Sequence, residues 1–221
     1  MPKAQRTAIR RKTRRRSSPN SRSALDRLLA ERNEHPERLA EIDRRIRDRF
    51  AETHAVLVLD MCGFSRLTMR YGITHFLAMI HRLHGLVAPL VAAAGGRVVK
   101  TEADNVFAVF PDVAPAVGTA RAIQRRLAAA NVFLPDDWDL HASIGIGYGE
   151  LLMVGGDDLF GGEMNLASKL GEDVAGSGET LLTDAAYQRL ARATKTSAPS
   201  GYESRDVPVS SMVIRAYKLR G

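Results

Sequence analysis

Asp60 and Asp104 are the residues whose type and placement most invite chemistry. Asp60 ends the apolar run 55–59, Gly63 then allows a turn, and Phe64-Ser65 opens a helical pattern. A carboxylate at a strand end beside a helix N-terminus can hold a cation, while free N–H groups and the helix dipole receive anionic oxygens. Taken alone, an aspartate after a strand is more often a turn former. Asp104 lies 44 residues on, at a tight turn between two β-rich runs, and can reach the same sheet edge as Asp60. Two carboxylates converging there would hold two divalent cations, the apparatus of phosphoryl or nucleotidyl transfer.

The elements that must position this pair follow from periodicity. A first strand covers 55–59, and helical pattern runs from Phe64 to about Ala94, broken near Tyr71-Gly72. The stretch 97–110 reads as a hairpin turning at Asp104-Asn105. Residues 114–130 form a helix with Val117, Ala120, Ile123 and Leu127 on one side, and 141–153 is β-rich with glycines at 145, 147 and 149. Alternating glycines flatten one strand face, so that a ligand or another backbone can approach. A helix over about 163–172, a short strand from Thr180, a helix over 184–193 and a final hairpin (204–209, 212–219) complete the chain. Strand, helices, hairpin, helix, strand is the order of an α+β, ferredoxin-like split βαβ: an antiparallel sheet with helices on one face.

Ahead of this lies a different kind of sequence. Residues 1–22 hold nine of the 32 Lys and Arg and no acid, leaving 23 basic and 25 acidic residues elsewhere, so the net +7 belongs to a tail. That tail reads as disordered; its charge suits nucleic acid, an anionic membrane or an acidic partner, and its composition is also that of a solvated extension or a transit peptide. Helical patterns follow over 23–33 and 37–50, the second with Leu39, Ile42 and Ile46 on one face, which needs an apolar partner in its own domain or a second copy. His81 and His84 stand three apart with no third ligand near and read as surface histidines. The single Cys62 excludes a disulfide framework and fits a reducing, cytoplasmic setting. No apolar run is expected to approach bilayer-spanning length; the best, 85–96, is about half of it and contains Pro89.

Four segments in order then resemble one family: Leu59-Asp60-Met-Cys-Gly63-Phe64, Gly96-Arg-Val-Val-Lys100-Thr-Glu-Ala-Asp104, Gly145-Ile-Gly-Tyr-Gly149, and Asp158-Leu-Phe-Gly161 with Asn165-Leu-Ala-Ser-Lys169. The chain resembles the catalytic domain of class III nucleotidyl cyclases, from about Ala55 to Leu190. With the composition of the tail and the helical periodicity after it, this divides the chain into a disordered basic tail over 1–22, an N-terminal helical segment over 23–52 and, by the resemblance, a cyclase domain over 53–221. The resemblance implies that Asp60 and Asp104, with the Met61 carbonyl, ligate two Mg²⁺ or Mn²⁺ ions per site, and that backbone around Gly63, Phe64 and Ser65 cradles the triphosphate. Lys100 and Asp158 would read the base, a pair that favours ATP over GTP. Asn165 would orient the ribose, and Lys169 would meet the developing phosphoryl charge. The implied activity is adenylate cyclase, at two sites shared across a homodimer; the alternatives are a guanylate cyclase or a catalytically weak or inactive homologue acting as a nucleotide-binding or dimerising regulatory module. Departures from the family pattern are Lys169 where arginine is usual, Ala103 where glycine is usual, and no lysine in the terminal hairpin turn 209–212. Gly155-Gly-Asp-Asp-Leu-Phe160 superficially resembles the diguanylate cyclase signature, but the Asp pair already lies upstream and Asn165 follows at the class III spacing.

Overall fold

A computed structural model describes residues 20–135, 138–196, 198–209 and 212–220. The tail 1–19 and the hairpin-turn residues 210 and 211 therefore lie outside the described residues. The strands are β1 (Ala51–Met61), β2 (Arg97–Glu102), β3 (Asn105–Phe110), β4 (Ala142–Val154), β5 (Asp158–Phe160), β6 (Thr180–Thr183), β7 (Tyr202–Val209) and β8 (Met212–Leu219). They form one sheet in the order β2-β3-β1-β4-β6-β8-β7, with β5 paired to β4. Its first half, β2-β3-β1-β4, is antiparallel throughout and is the expected split βαβ; the β4–β6 pairing is parallel.

β1 carries apolar side chains to both faces, which is why it lies at the centre. Ala55, Leu57 and Leu59 join Ile144 and Ile146 in the larger core. Over this face lie α4 (Ile73–Ala93), α5 (Val113–Asn131) and α7 (Asp184–Ala193), contributing Phe76, Leu83, Ile123 and Leu190 among others. Each such side chain, fully buried, contributes about 1.5–3 kcal/mol. Val56 and Val58 point the other way, into a second cluster with Phe107, Leu151 and Ala167.

Ala167 belongs to α6 (Gly162–Ser168), which continues as a π-helical turn over Lys169–Val174. Helices thus cover both faces, not one. The glycines explain the difference. Gly145 and Gly147 pair with Val58 and Val56 and share their face. A Cβ on Gly145 would lie 1.9 Å from the Ala167 carbonyl oxygen, and one on Gly147 2.5 Å from that of Glu163. The glycines admit the chain's own helix.

The N-terminal helices α1 (Arg22–Glu34) and α2 (Leu39–Phe50) also find their partner within the chain. Ile42, Ile46 and Phe50 bury against Ala24, Leu25, Leu28 and Val154, flanked by Leu152 and Phe160. Helical pattern between β1 and β2 does break at Gly72, giving α3 (Phe64–Tyr71) and α4. The expectation that no run approaches bilayer-spanning length does not hold for α4, whose 21 residues are long and apolar enough by length and composition to cross a membrane. In this structure one face of α4 lies on the sheet, through Phe76, Met79, Leu83, Val87 and Val91.

Candidate active site

β1 brings Asp60 to the end of the sheet on the α6 face, paired with Ser143 of β4. The β2–β3 ladder closes at Glu102–Asn105, so Ala103 and Asp104 form a two-residue turn. The two carboxylates sense each other. Burial, and behind it the charges of Asp104, Glu172 and Asp173, pushes the Asp60 carboxyl up to about 7. Burial raises Asp104 as well, partly offset by its own backbone N–H. Among the described residues neither takes part in an ion pair, so negative charge is gathered here without an answering cation.

The family implies divalent metal, and the donors fit one. Hard carboxylate oxygens suit Mg²⁺ or Mn²⁺, and Mg²⁺ is commonly held by one or two carboxylates with substrate phosphates completing the shell. No cluster of three or more His, Cys, Asp or Glu among the described residues is placed to hold an ion unaided. The Met61 side chain is buried in the core. Gly63 adopts φ 95°, a left-handed conformation that glycine takes at little cost, and turns the chain into α3. Phe64 and Ser65 are its first residues; their side chains lie outside what is described.

A second group forms at the β2–β5 corner. β2 is irregular between Val98 and Lys100. Val98 pairs with Ala108, whose side chain joins the α4-side core, whereas Lys100 pairs with Phe107 of the α6-side cluster. The extra residue, Val99, thus switches Lys100 to the face that Asp60 occupies, the usual work of a bulge. There Lys100 Nζ donates to Glu102 Oε1 at 2.7 Å, lies 3.1 Å from Asp158 Oδ1 and stands 4.9 Å from the Phe107 ring centre. Burial lowers the Lys100 pKa, but Glu102 and Asp158 outweigh it and the net direction is up. Arg97 helps to hold the corner by donating to the Gly156 carbonyl at 2.7 Å. A cavity of about 350 Å³ opens here, lined by Arg22, Lys100, Glu102, Asp157 and Asp158 among others.

Asn165 and Lys169 both line a second cavity, about 340 Å³, together with Glu172 and Val209. Lys169 is exposed and donates to Asp173 Oδ2 at 2.6 Å, a contact that raises its pKa. The structure therefore gathers the ten expected residues into three groups: Asp60, Met61, Gly63, Phe64, Ser65 and Asp104; Lys100 and Asp158; Asn165 and Lys169.

Three further residues escaped the sequence reading. Glu163 Oε2 accepts from Thr183 Oγ1 at 2.7 Å and from the Tyr148 N–H at 3.2 Å, anchoring the start of α6 to β4 and β6. Glu172 adds negative charge beside Asp60, and burial raises its own pKa. Arg22 donates to Asp158 Oδ2 at 2.9 Å. Of these only Glu172 left a trace in the sequence, seven residues after Asn165 and so on the same helical face. Ala103 takes φ 50°, so the residue that departs from the family's glycine is held left-handed, at about 1 kcal/mol.

No family model matches the chain. It is 34% identical over 134 residues (61% of this chain, 22% of the relative) to a putative adenylate cyclase 3 of Rhizobium meliloti. It is 31% identical over 169 residues (76% of this chain, 37% of the relative) to an adenylate cyclase of Streptomyces coelicolor. The chain thus spans well under half the length of either relative. Among solved structures, the adenylate/guanylate cyclase/hydrolase of Silicibacter pomeroyi superposes with a TM-score of 0.64 at 27% identity, covering 77% of this chain and 98% of that one. The chain has the fold of the class III nucleotidyl cyclase catalytic domains and is similar to them in sequence.

Proposed function

We propose that the chain is a nucleotidyl cyclase domain that converts ATP to 3′,5′-cyclic AMP and pyrophosphate at sites shared between two copies. The observation that carries this reading is the Asp60–Asp104 pair, two carboxylates at one sheet edge, the charge of one acting on the other, with no ion-pair partner among the described residues. Asp60, Asp104 and the Met61 carbonyl would hold the divalent ions, two per site. The ions, when bound, supply positive charge that lowers the pKa of an attacking hydroxyl and neutralises leaving phosphates.

In the reaction the ribose 3′-oxygen bonds to the α-phosphorus, the bond from that phosphorus to the oxygen bridging to the β-phosphate breaks, the hydroxyl proton passes to solvent water and pyrophosphate leaves with the bridging oxygen. The chain's own groups contribute mainly position and charge. Backbone N–H groups at the start of α3 receive triphosphate oxygens. Asn165 orients the ribose, and Lys169 meets charge developing on the phosphoryl oxygens. Lys100 donates to a ring nitrogen of the base and Asp158 accepts from its exocyclic amine; their contact fits a shared role, and adenine as the base rests on the resemblance.

The shared site rests on the resemblance. The glycines and α2, which could have pointed to a partner chain, are used within one copy. A second reading, a catalytically weak homologue, draws on two observations: Lys169 is engaged by Asp173 and lacks arginine's planar fork, and Ala103 is strained beside Asp104. Incubating purified protein with Mn²⁺ and ATP or GTP, and identifying the product, tests the proposal. Cyclic AMP formed faster than cyclic GTP is expected; no cyclic nucleotide from either would overturn it.

A further inference from the structure

Arg22 stands before the catalytic segments, at the first turn of α1, yet it reaches the base corner. The α1 start is docked there by two contacts: the Gly155 N–H donates to the Asn20 carbonyl at 2.8 Å, and the Arg22 guanidinium lies 5.3 Å from the Phe160 ring centre. Its Nη1 donates to Asp158 Oδ2 at 2.9 Å. Arg22 thus lines the same cavity as Lys100 and Asp158.

The acceptor capacity of Asp158 can then be counted. An ionised carboxylate offers about four acceptor positions, two on each oxygen. Oδ1 faces Lys100 Nζ at 3.1 Å and accepts the Leu159 N–H at 2.9 Å, which fills it. Oδ2 accepts from Arg22, leaving one position on the carboxylate. Adenine presents a single exocyclic amine on its pairing edge, which one acceptor satisfies. Guanine presents N1–H and its exocyclic amine side by side, which together ask for two. A guanine placed here must displace Arg22 or leave a donor without a protein partner, and either outcome costs binding relative to adenine.

We infer that Arg22 is a positioning residue for nucleobase choice, which by occupying Asp158 Oδ2 leaves a one-acceptor edge that takes adenine and refuses guanine. This rests on the proposed role of Asp158 as base reader and extends it to the N-terminal helix. The α1–α2 segment thereby becomes part of the specificity apparatus. Lysine at position 22 would keep one charged donor toward Oδ2, while glutamine or alanine would release that oxygen.

The test measures binding of the non-cleavable α,β-methylene analogues of ATP and GTP to the full chain, its R22A, R22Q and R22K variants, and D158A. The parent should favour the adenine analogue. R22A and R22Q should each lower the adenine-to-guanine affinity ratio by roughly three- to ten-fold, the net worth of one ordinary hydrogen bond and the range suited to a solvent-screened contact, with R22K retaining most of the preference. Arg22 is mostly exposed, and two neutral replacements guard against a folding artefact in either. If D158A changes the ratio while R22A and R22Q leave it within about two-fold of the parent, the Arg22 inference fails and the base-reading role of Asp158 stands. If D158A leaves the ratio unchanged, the base-reading role fails and the inference with it. Absence of binding by all five proteins would overturn both.

Discussion

Asp60 and Asp158 are both half-buried carboxylates carried by strands of one sheet, but their surroundings are opposite. Asp158 is met by Lys100, Arg22 and a backbone N–H. Asp60 feels the charge of Asp104, Glu172 and Asp173 and pairs with no described cation, and burial with that charge lifts it to about 7. The Asp158 corner is electrostatically complete within one chain; at the Asp60 edge Lys169 answers Asp173, while Asp60 and Asp104 themselves pair with no described cation. A protein does not gather uncompensated buried charge for stability, because desolvation opposes it. The difference therefore marks the Asp60 edge as the place where a charged ligand is expected, and the Asp158 corner as preorganised to read a neutral one.

Breaking the incomplete end should have the largest effect. Asp60→Ala or Asp104→Ala should lower cyclic nucleotide formation by at least about 10³-fold, while the circular dichroism spectrum stays parental. Near-parental turnover in either variant would remove the pair from the chemistry. Altering the complete end should redirect rather than abolish. Changing Lys100 to Glu together with Asp158 to Cys should shift relative use from ATP toward GTP, roughly ten-fold or less because pocket shape also contributes. A parental enzyme that already prefers GTP would contradict this assignment of the base corner.

The same contrast has a signature in stability. Asp60 has a folded pKa raised from 3.8 to about 7, so protonation favours the folded state. Its contribution is fully present below about pH 4 and is lost as pH rises through 7. In chelator, Asp60→Asn should remove the penalty and stabilise the chain at pH 8 by about 1–2 kcal/mol, after allowing for solvent screening at a half-exposed site. At pH 4 the substitution should change little. Thermal melts at the two pH values check this, and equal effects at both would show that Asp60 does not titrate as described. The smallest effect concerns the turn. Ala103→Gly should relieve the left-handed strain and stabilise by about 1 kcal/mol at most, since glycine's greater unfolded-state freedom offsets part of the gain. A lower melting temperature for this variant would argue against strain at Ala103.

What the sequence disclosed, and what it did not, follows the same division. Periodicity marked the β1 core, the hairpin and the break at Gly72, because each is local. The two-residue turn carrying Asp104 was legible for the same reason. The fold over the glycines was misjudged. Gly145 and Gly147 announce a close backbone approach, but only the folded chain reveals that α6 makes it. The bulge at Val99 was hidden because an extra residue in an apolar run leaves periodicity almost unchanged. Arg22 was assigned to the charged tail by composition; its contact with Asp158 spans 136 residues of chain, which no local pattern encodes.

In the proposed dimer the two ends of the site in one chain serve two different composite sites. Mixing Asp60→Ala and Asn165→Ala proteins, each nearly inactive alone, decides whether they do. In a two-fold heterodimer one site carries both lesions and the other carries none. Activity should return to about half the parental value per heterodimer. If tagged chains are shown to exchange and the mixture stays inactive, each site is built within a single chain and the claim is wrong.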